Sequence, residues 1–335
     1  MDAGLYQGVR CFLSIDLVGS TGLKSDPKLS PTRKTAIDPE QRDWVDIHVE
    51  FYQECLDRLV HDEQEHSDRP KVDEADDGHT PWDVSNRLHF WRVRGDEVLL
   101  YSGRIGDPQQ MFDILYRFCR VVRDLDDRFS KAGLGAKGCM WAGGFPIRNR
   151  EILISTAPPY FRSLSRGGVN KEAMRQAPFF DFGRTSWLEF AGPEIDLGFM
   201  IAPYINPARV VVSIEVANFV ALCPLDLSRQ IHIHHVGWRS LKTLYDGTPY
   251  PILWADARLH DAPKKRVSFE GALSDLSETF FDPKSRLNPK AVQELHRDYL
   301  NDTAERYGRI DMYLKPGDAP SSDERIWESI ERERK

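Results

Sequence analysis

Asp16 stands in Phe-Leu-Ser-Ile-Asp-Leu-Val-Gly-Ser-Thr at residues 12–21, and Asp96 in Arg-Val-Arg-Gly-Asp-Glu-Val-Leu-Leu at residues 92–100. Each carboxylate falls where an apolar run breaks into a turn. If the two runs are neighbouring strands, the carboxylates converge. Hard divalent cations such as Mg²⁺ or Mn²⁺ take such oxygen donors, and phosphate oxygens complete the shell. The Gly19-Ser20-Thr21 turn offers backbone N–H groups to an anion, and a helix starting near Thr21 would add its positive end. Taken singly, each turn also fits a plainer role, with Asp16 a turn cap and Arg-Gly-Asp-Glu an ordinary polar hairpin tip. Two such turns, each offering one Asp from a strand edge, are less easily dismissed.

The elements that must position these residues follow from pattern. Cys11, Phe12, Leu13 and Ile15 predict a buried strand near 9–16, followed by a polar stretch at 24–38 and a helix opening at Asp38-Pro39-Glu40. In that helix Trp44, Ile47, Phe51 and Cys55 form the stripe expected to pack on the sheet, and Tyr52 is offset from it. Leu88, Phe90, Leu99 and Leu100 flank Arg-Gly-Asp-Glu and predict a hairpin with Gly95 and Asp96 at its tip. Met111, Leu115, Phe118, Val122, Leu125 and Phe129 repeat at helical spacing and stop at Gly133, so this stripe is core. The pattern dissolves between Pro146 and Ser186, which reads as an insertion or flap. Val210 to Val212 and Ile214 predict a strand. Asn288 to Tyr307 predicts a helix. The acidic run Asp73, Glu74, Asp76, Asp77 lacks the downstream Glu of a calcium loop and reads as solvated surface. His232, His234 and His235 invite a zinc reading, but no Cys or Asp stands in ligand spacing.

Asp-Leu-Val-Gly-Ser-Thr followed by Arg-Gly-Asp-Glu-Val resembles the paired metal motifs of the class III nucleotidyl cyclases, the adenylate and guanylate cyclase family. Weaker likenesses follow in order: Gly133 to Gly144, Phe190 to Met200, Trp238 to Leu244, and Tyr250 to Ala255, so the resemblance spans roughly residues 8–256. It implies an α/β fold with a mainly antiparallel, ferredoxin-like central sheet and helices packed on it. Residues 1–256 would form the catalytic domain, with the insertion at 146–186, and 257–335 a helical extension. It implies two Mn²⁺ or Mg²⁺ ions held by Asp16, Asp96 and a backbone carbonyl near Leu17, and triphosphate bound by the amides of Val18, Gly19, Ser20 and Thr21. It also implies a head-to-tail homodimer with its sites at the interface. The family's transition-state segment departs from type, with Asp196 and Met200 where Asn and Arg are usual, and Arg92 replaces a base-reading Lys. Intact metal motifs with a rewritten base half resemble the bacterial pyrimidine cyclases of the Pycsar antiphage systems. That likeness implies UTP as substrate and cyclic UMP read by a separate effector. CTP, a purine nucleotide, or a nucleotide-binding module without turnover stay open.

Chemistry gives its own reasons. Arg is a donor-only fork, so Arg92 suits the carbonyls of uracil and opposes the cytosine amino group, although guanine O6 would also fit. Tyr52, leaning over the site, would leave room for one ring; Trp82 and Trp91 are alternatives, and so is a plain rim position. Arg94, on the same strand face as Arg92, is the nearest replacement for the missing catalytic Arg, unless it merely pairs with Glu97.

Composition sets bounds. The 335 residues carry a net charge of −7 and a pI near 5.8, which argues against a nucleic-acid groove. Five scattered cysteines suggest reduced thiols, and no stretch approaches a membrane span or export signal, so a cytoplasmic enzyme is expected.

Overall fold

The computed structural model describes residues 8–25, 43–61, 88–145, 148–155, 161–163, 186–241, 247–257 and 285–307. The expected helix opening at 38–40, the acidic run at 73–77 and Trp82 lie outside them.

In chain order the strands are β1 (Gly8–Val18), β2 (Leu88–Arg94), β3 (Glu97–Ile105), β4 (Gly135–Phe145), β5 (Arg150–Ser155), β6 (Phe161–Ser163), β7 (Ser186–Ala191), β8 (Val210–Val212), β9 (Ile231–Ser240), β10 (Pro249–Ala257) and β11 (Arg286–Leu287). The helices are α1 (Ser20–Ser25), α2 (Trp44–Leu56), α3 (Pro108–Ser130), α4 (Pro193–Ile201), α5 (Ile214–Ala221), α6 (Leu225–Ser228) and α7 (Pro289–Tyr307), and a π turn over Asp57–His61 extends α2.

Eight strands form one sheet in the order β11-β9-β10-β8-β4-β1-β3-β2, in which only β4 and β8 run parallel. The expected α/β architecture, a mainly antiparallel sheet with helices packed on it, holds. Among the described residues, β5 and β6 of the dissolved stretch pair with β7, which begins where that stretch ends, in a second, three-stranded sheet of order β6-β5-β7.

Local chemistry sets the boundaries. Asp43 and Asp46 form a reciprocal capping box at α2: the Asp43 carboxylate accepts from the Val45 and Asp46 amides at 2.8 and 3.0 Å, and Asp46 accepts from the Asp43 amide at 3.1 Å. Asp107 caps α3 ahead of Pro108, and the chain leaves that helix through Gly133 at φ 71°. The stripe from Met111 to Phe129 is buried as expected. On α2 the buried set is Ile47, His48, Phe51 and Cys55, so the helix is rolled slightly from the expected face and Trp44 is only partly covered. Ile214 does not extend β8. Ser213 accepts from the Val216 amide and caps α5, turning a β-branched run into a helix.

The sheet separates two layers. On one face Gly138 meets α3 so closely that a Cβ there would sit 2.7 Å from Val122 and 2.9 Å from Phe118. Phe12 faces the other way, with Trp91, Trp141 and Phe190 at centroid distances of 5.6, 5.6 and 4.9 Å. Helix α4 covers this second face and leaves an open cavity beyond Phe199.

A buried polar latch fixes the start of α4. Glu194 Oε2 accepts from the Gly144 amide at 2.8 Å and from the Asn149 side chain, and Arg148 pairs with Oε1 at 2.9 Å. Burial pushes the Glu194 carboxyl up to about 7, against the pull of Arg148 and the Gly144 amide. A carboxyl raised in the fold binds its proton more tightly than in the unfolded chain, so its stabilisation is complete below about pH 4.5 and is lost as pH rises through about 7. The expected result is that thermal unfolding of wild type relative to Glu194→Gln loses about 2 kcal/mol between pH 5 and 8. Parallel profiles would show that Glu194 does not titrate in this window.

Among the described residues, no helix is long and apolar enough to cross a membrane.

Candidate active site

The end of β1 runs between β3 and β4, and register alone places a row of charges across four strands. Arg94 on β2 opposes Glu97 on β3, Glu97 opposes Asp16 on β1, and Asp16 opposes Lys137 on β4. Partners in register point to the same side of a sheet, so all four side chains face the cavity side. The β2–β3 connection is the two-residue hairpin expected, with Gly95 at φ 68° and Asp96 beside it. The Leu17 amide donates to the Asp96 carbonyl at 3.1 Å, which fastens this hairpin tip to the end of β1.

Asp16 and Asp96 therefore line one cavity of about 350 Å³, together with Glu97, Arg94, Lys137 and Phe199. This juxtaposition of residues far apart in sequence is the geometry that the two motifs predicted. The Ser20 hydroxyl donates to Asp96 Oδ2, and the Ser14 hydroxyl donates to Glu97 Oε1. Lys137 Nζ lies 3.0 Å from Asp16 Oδ2. Burial lifts the Glu97 carboxyl above its ordinary range and the charge of Asp16 adds to this, while the Ser14 hydroxyl, Arg94 and Lys137 oppose it.

Beside the carboxylates, Gly19 turns the chain at φ 88°, and a Cβ there would also meet Leu134 at 3.3 Å. Helix α1 starts at Ser20. The first N–H groups of a helix have no acceptor within it, so the amides at Ser20 and Thr21 sit where a helix leaves donors unused. Val18 closes β1, and its neighbour Leu17 is buried.

The other expected site residues are placed as follows. Arg94 lines the cavity with its guanidinium 5.4 Å from the Phe199 ring centroid. Tyr52 reaches the hairpin tip, where its hydroxyl donates to the Gly95 carbonyl; burial, then the charge of Asp96, raise its phenol above the usual value. Arg92 turns to Glu189 at 3.0 Å and stacks on Trp91 at 4.6 Å, outside the cavity lining of its own chain. On α4, Asp196 is exposed and Met200 is partly buried against the core. Among the described residues, the histidines of β9 belong to no group that could hold a metal ion. His234 Nδ1 lies 3.1 Å from the Ser285 hydroxyl, the His235 ring packs edge-on to Trp238, and burial lowers the pKa of both.

Sequence reading missed Lys137, Ser14 and the side-chain role of Ser20. Only Lys137 left a signal, a lone cation in an otherwise small and apolar strand.

No family model matches the chain, and no curated protein matches its sequence. Among solved structures, the chain is similar to the adenylyl cyclase CyaB from P. aeruginosa, with 10% identity over 77% of this chain and 98% of that one and a TM-score of 0.44. It is also similar to the guanylate cyclase domain of RhGC from Catenaria anguillulae, with 10% identity, coverage of 76% and 98%, and a TM-score of 0.40. A third likeness is to an adenylate cyclase from Trypanosoma brucei, with 11% identity, coverage of 75% and 88%, and a TM-score of 0.37.

Proposed function

We propose that the chain is a nucleotidyl cyclase that converts UTP to 3′,5′-cyclic UMP and pyrophosphate. The observation that carries this reading is the meeting of Asp16 and Asp96 in one cavity beside the Val18–Thr21 turn.

The donor set fits a divalent ion of a particular kind. Among the described residues no group of three or more His, Cys, Asp or Glu forms a cage. Two carboxylates with the Leu17 carbonyl leave a coordination shell to be completed by phosphate oxygens and water, as Mg²⁺ and Mn²⁺ accept. Bound there, two such ions would supply Lewis acidity, making the ribose 3′-hydroxyl easier to deprotonate and neutralising the triphosphate.

The chain's own residues do the rest. The amides of Val18, Gly19, Ser20 and Thr21 receive the β- and γ-phosphates, and Ser20 holds the Asp96 carboxylate in place through its hydroxyl. Arg94 faces the charge that develops as the 3′-oxygen bonds to the α-phosphorus and the bond to pyrophosphate breaks. The hydroxyl proton leaves to solvent. No protein nucleophile is needed.

Base contacts come from a second protomer in this reading. A head-to-tail homodimer would set the metal half of one chain against the base half of its partner, which suits an Arg92 that does not line its own chain's cavity. Arg92 would then leave Glu189 for the uracil carbonyls, and Tyr52 would limit the pocket to one ring. Arg92→Ala should reduce the preference for UTP over CTP by about tenfold, judged from kcat/KM, while its exposed position leaves folding unchanged. An unchanged preference would remove Arg92 from the base pocket.

The likeness to Pycsar cyclases would make cyclic UMP a messenger for a separate antiphage effector. The test of function is to incubate the protein with each ribonucleoside triphosphate and Mn²⁺ and weigh the products. Cyclic UMP is expected; a purine product would reassign the substrate, and no product at all would leave a nucleotide-binding module.

A further inference from the structure

Strand β8 pairs with β4 only at residues 138–140, so beyond that point β4 has amides that need other acceptors. Two helices supply them. The Ser213 hydroxyl, at the start of α5, accepts from the Ala142 amide at 3.3 Å, and Glu194, in the first turn of α4, accepts from the Gly144 amide. Helix α4 has no side-chain cap at Gly192. Its first turn is held instead by Asn149, whose Oδ1 accepts from the Glu194 amide at 3.2 Å while its Nδ2 donates to the Glu194 carboxylate. The groups that face Glu194 are therefore Arg148 and Asn149 from the β4–β5 connection, the Gly144 amide, and Glu215 in the first turn of α5. Charge does not balance among them. Glu194 and Glu215 are only 1% and 9% exposed and meet one guanidinium, and an uncompensated buried charge is costly. Glu194 Oε1 lies 2.9 Å from Arg148 but, like Glu215 Oε2, is buried without a hydrogen-bond partner among the described residues. Two buried acidic oxygens lack a donor, and a proton supplies one.

We propose that Glu194 and Glu215 together bind one proton, and that its release unseats α4, the helix that brings Phe199 and Ala202 to the wall of the Asp16–Asp96 cavity. The Glu194 carboxyl agrees with this, since burial and then the charge of Glu215 push it up to about 7 against the pull of Arg148, Gly144 and Asn149. The seated helix holds the proton more tightly than the freed one. Seating is therefore strongest below about pH 4.5 and weakens as pH rises through about 7. Only the effect on turnover rests on the cyclase reading; the proton site itself does not.

The test is amide hydrogen exchange of the full-length protein at pH 6 and pH 8, read on α4 as the ratio of wild type to Glu194→Gln. Taking the ratio cancels the intrinsic pH dependence of exchange. A carboxyl that binds its proton near 7 when seated and near 4.5 when free makes local opening about tenfold more frequent over this interval. Helix α2, which packs with α3 on the other face of the sheet, should keep a constant ratio. In Glu215→Gln the tenfold change should shrink to about threefold, since one raising charge is gone. Steady-state kcat/KM of wild type relative to Glu194→Gln should also fall between pH 6 and pH 8. An α4 ratio that does not change would overturn the proton site, and a wild-type profile in Glu215→Gln would overturn the part given to Glu215. A change in α2 as large as that in α4 would show a proton serving the whole fold and overturn the seat. Turnover with a flat kcat/KM ratio would overturn the coupling to the cavity. The exchange change in a chain without turnover contradicts the cyclase reading alone.

Discussion

Asp16→Asn and Asp96→Asn should each lower turnover about 10³-fold or more while the protein stays folded, because on the proposed function each removes a carboxylate that holds a divalent ion. Loss of several kcal/mol of charge stabilisation at the phosphates corresponds to that factor. The stability side is small. Asp16 forfeits a partly exposed pair with Lys137, of a kind generally worth at most about 1 kcal/mol, and Asp96→Asn keeps an oxygen to accept from Ser20. Steady-state rates together with Tm values check both halves. A near wild-type rate in either variant would show that the ion is held elsewhere, and a collapse of Tm would show that the carboxylates serve the fold.

The second large effect is on stability. Gly198 lets α4 lie against β4, where a Cβ would stand 2.1 Å from Cδ2 and 2.2 Å from Cε2 of Trp141. Trp141 is fully buried and stacks on Phe12, so it has no free side to yield. Gly198→Ala should cost about 3 kcal/mol, or roughly 5–10 °C in Tm, despite the better helix propensity of Ala. The strain also moves the wall of the cavity, since Phe199 and Ala202 follow directly. KM should therefore rise even at temperatures where the variant is folded. An unchanged Tm would mean that α4 does not approach the sheet this closely.

Much of the fold was legible because its strongest signals are local. The stripe on α3 and the Gly95-Asp96 tip each declare themselves within a few residues, and each stands where expected. Ile214 was misread because a β-branched run carries on across Ser213, and the side-chain cap that decides the matter looks the same in sequence as any other Ser. The roll of α2 that buries His48 instead of Trp44 depends on what the sheet presents to it, which periodicity does not encode.

The site divides in the same way. Asp16 and Asp96 were readable as two turns because a strand ending in Asp and small residues is a local pattern. Their company was not. Lys137 meets Asp16 only through the pairing of β1 with β4, and Ser14 meets Glu97 only through β1 with β3. Tyr52 was expected over the site for its size, and it is the hydroxyl that ties it to the hairpin tip at Gly95. Arg92 shows the converse: its chemistry suggested a base contact, while its own chain offers it Glu189 and the face of Trp91.

The most direct measurement is a crystal structure of the protein with Mn²⁺ and α,β-methylene UTP, with the ions located by manganese anomalous scattering. The account predicts anomalous peaks within coordination distance of both the Asp16 and Asp96 carboxylates, shared with phosphate oxygens of the nucleotide. Manganese and triphosphate bound away from those two side chains would contradict it.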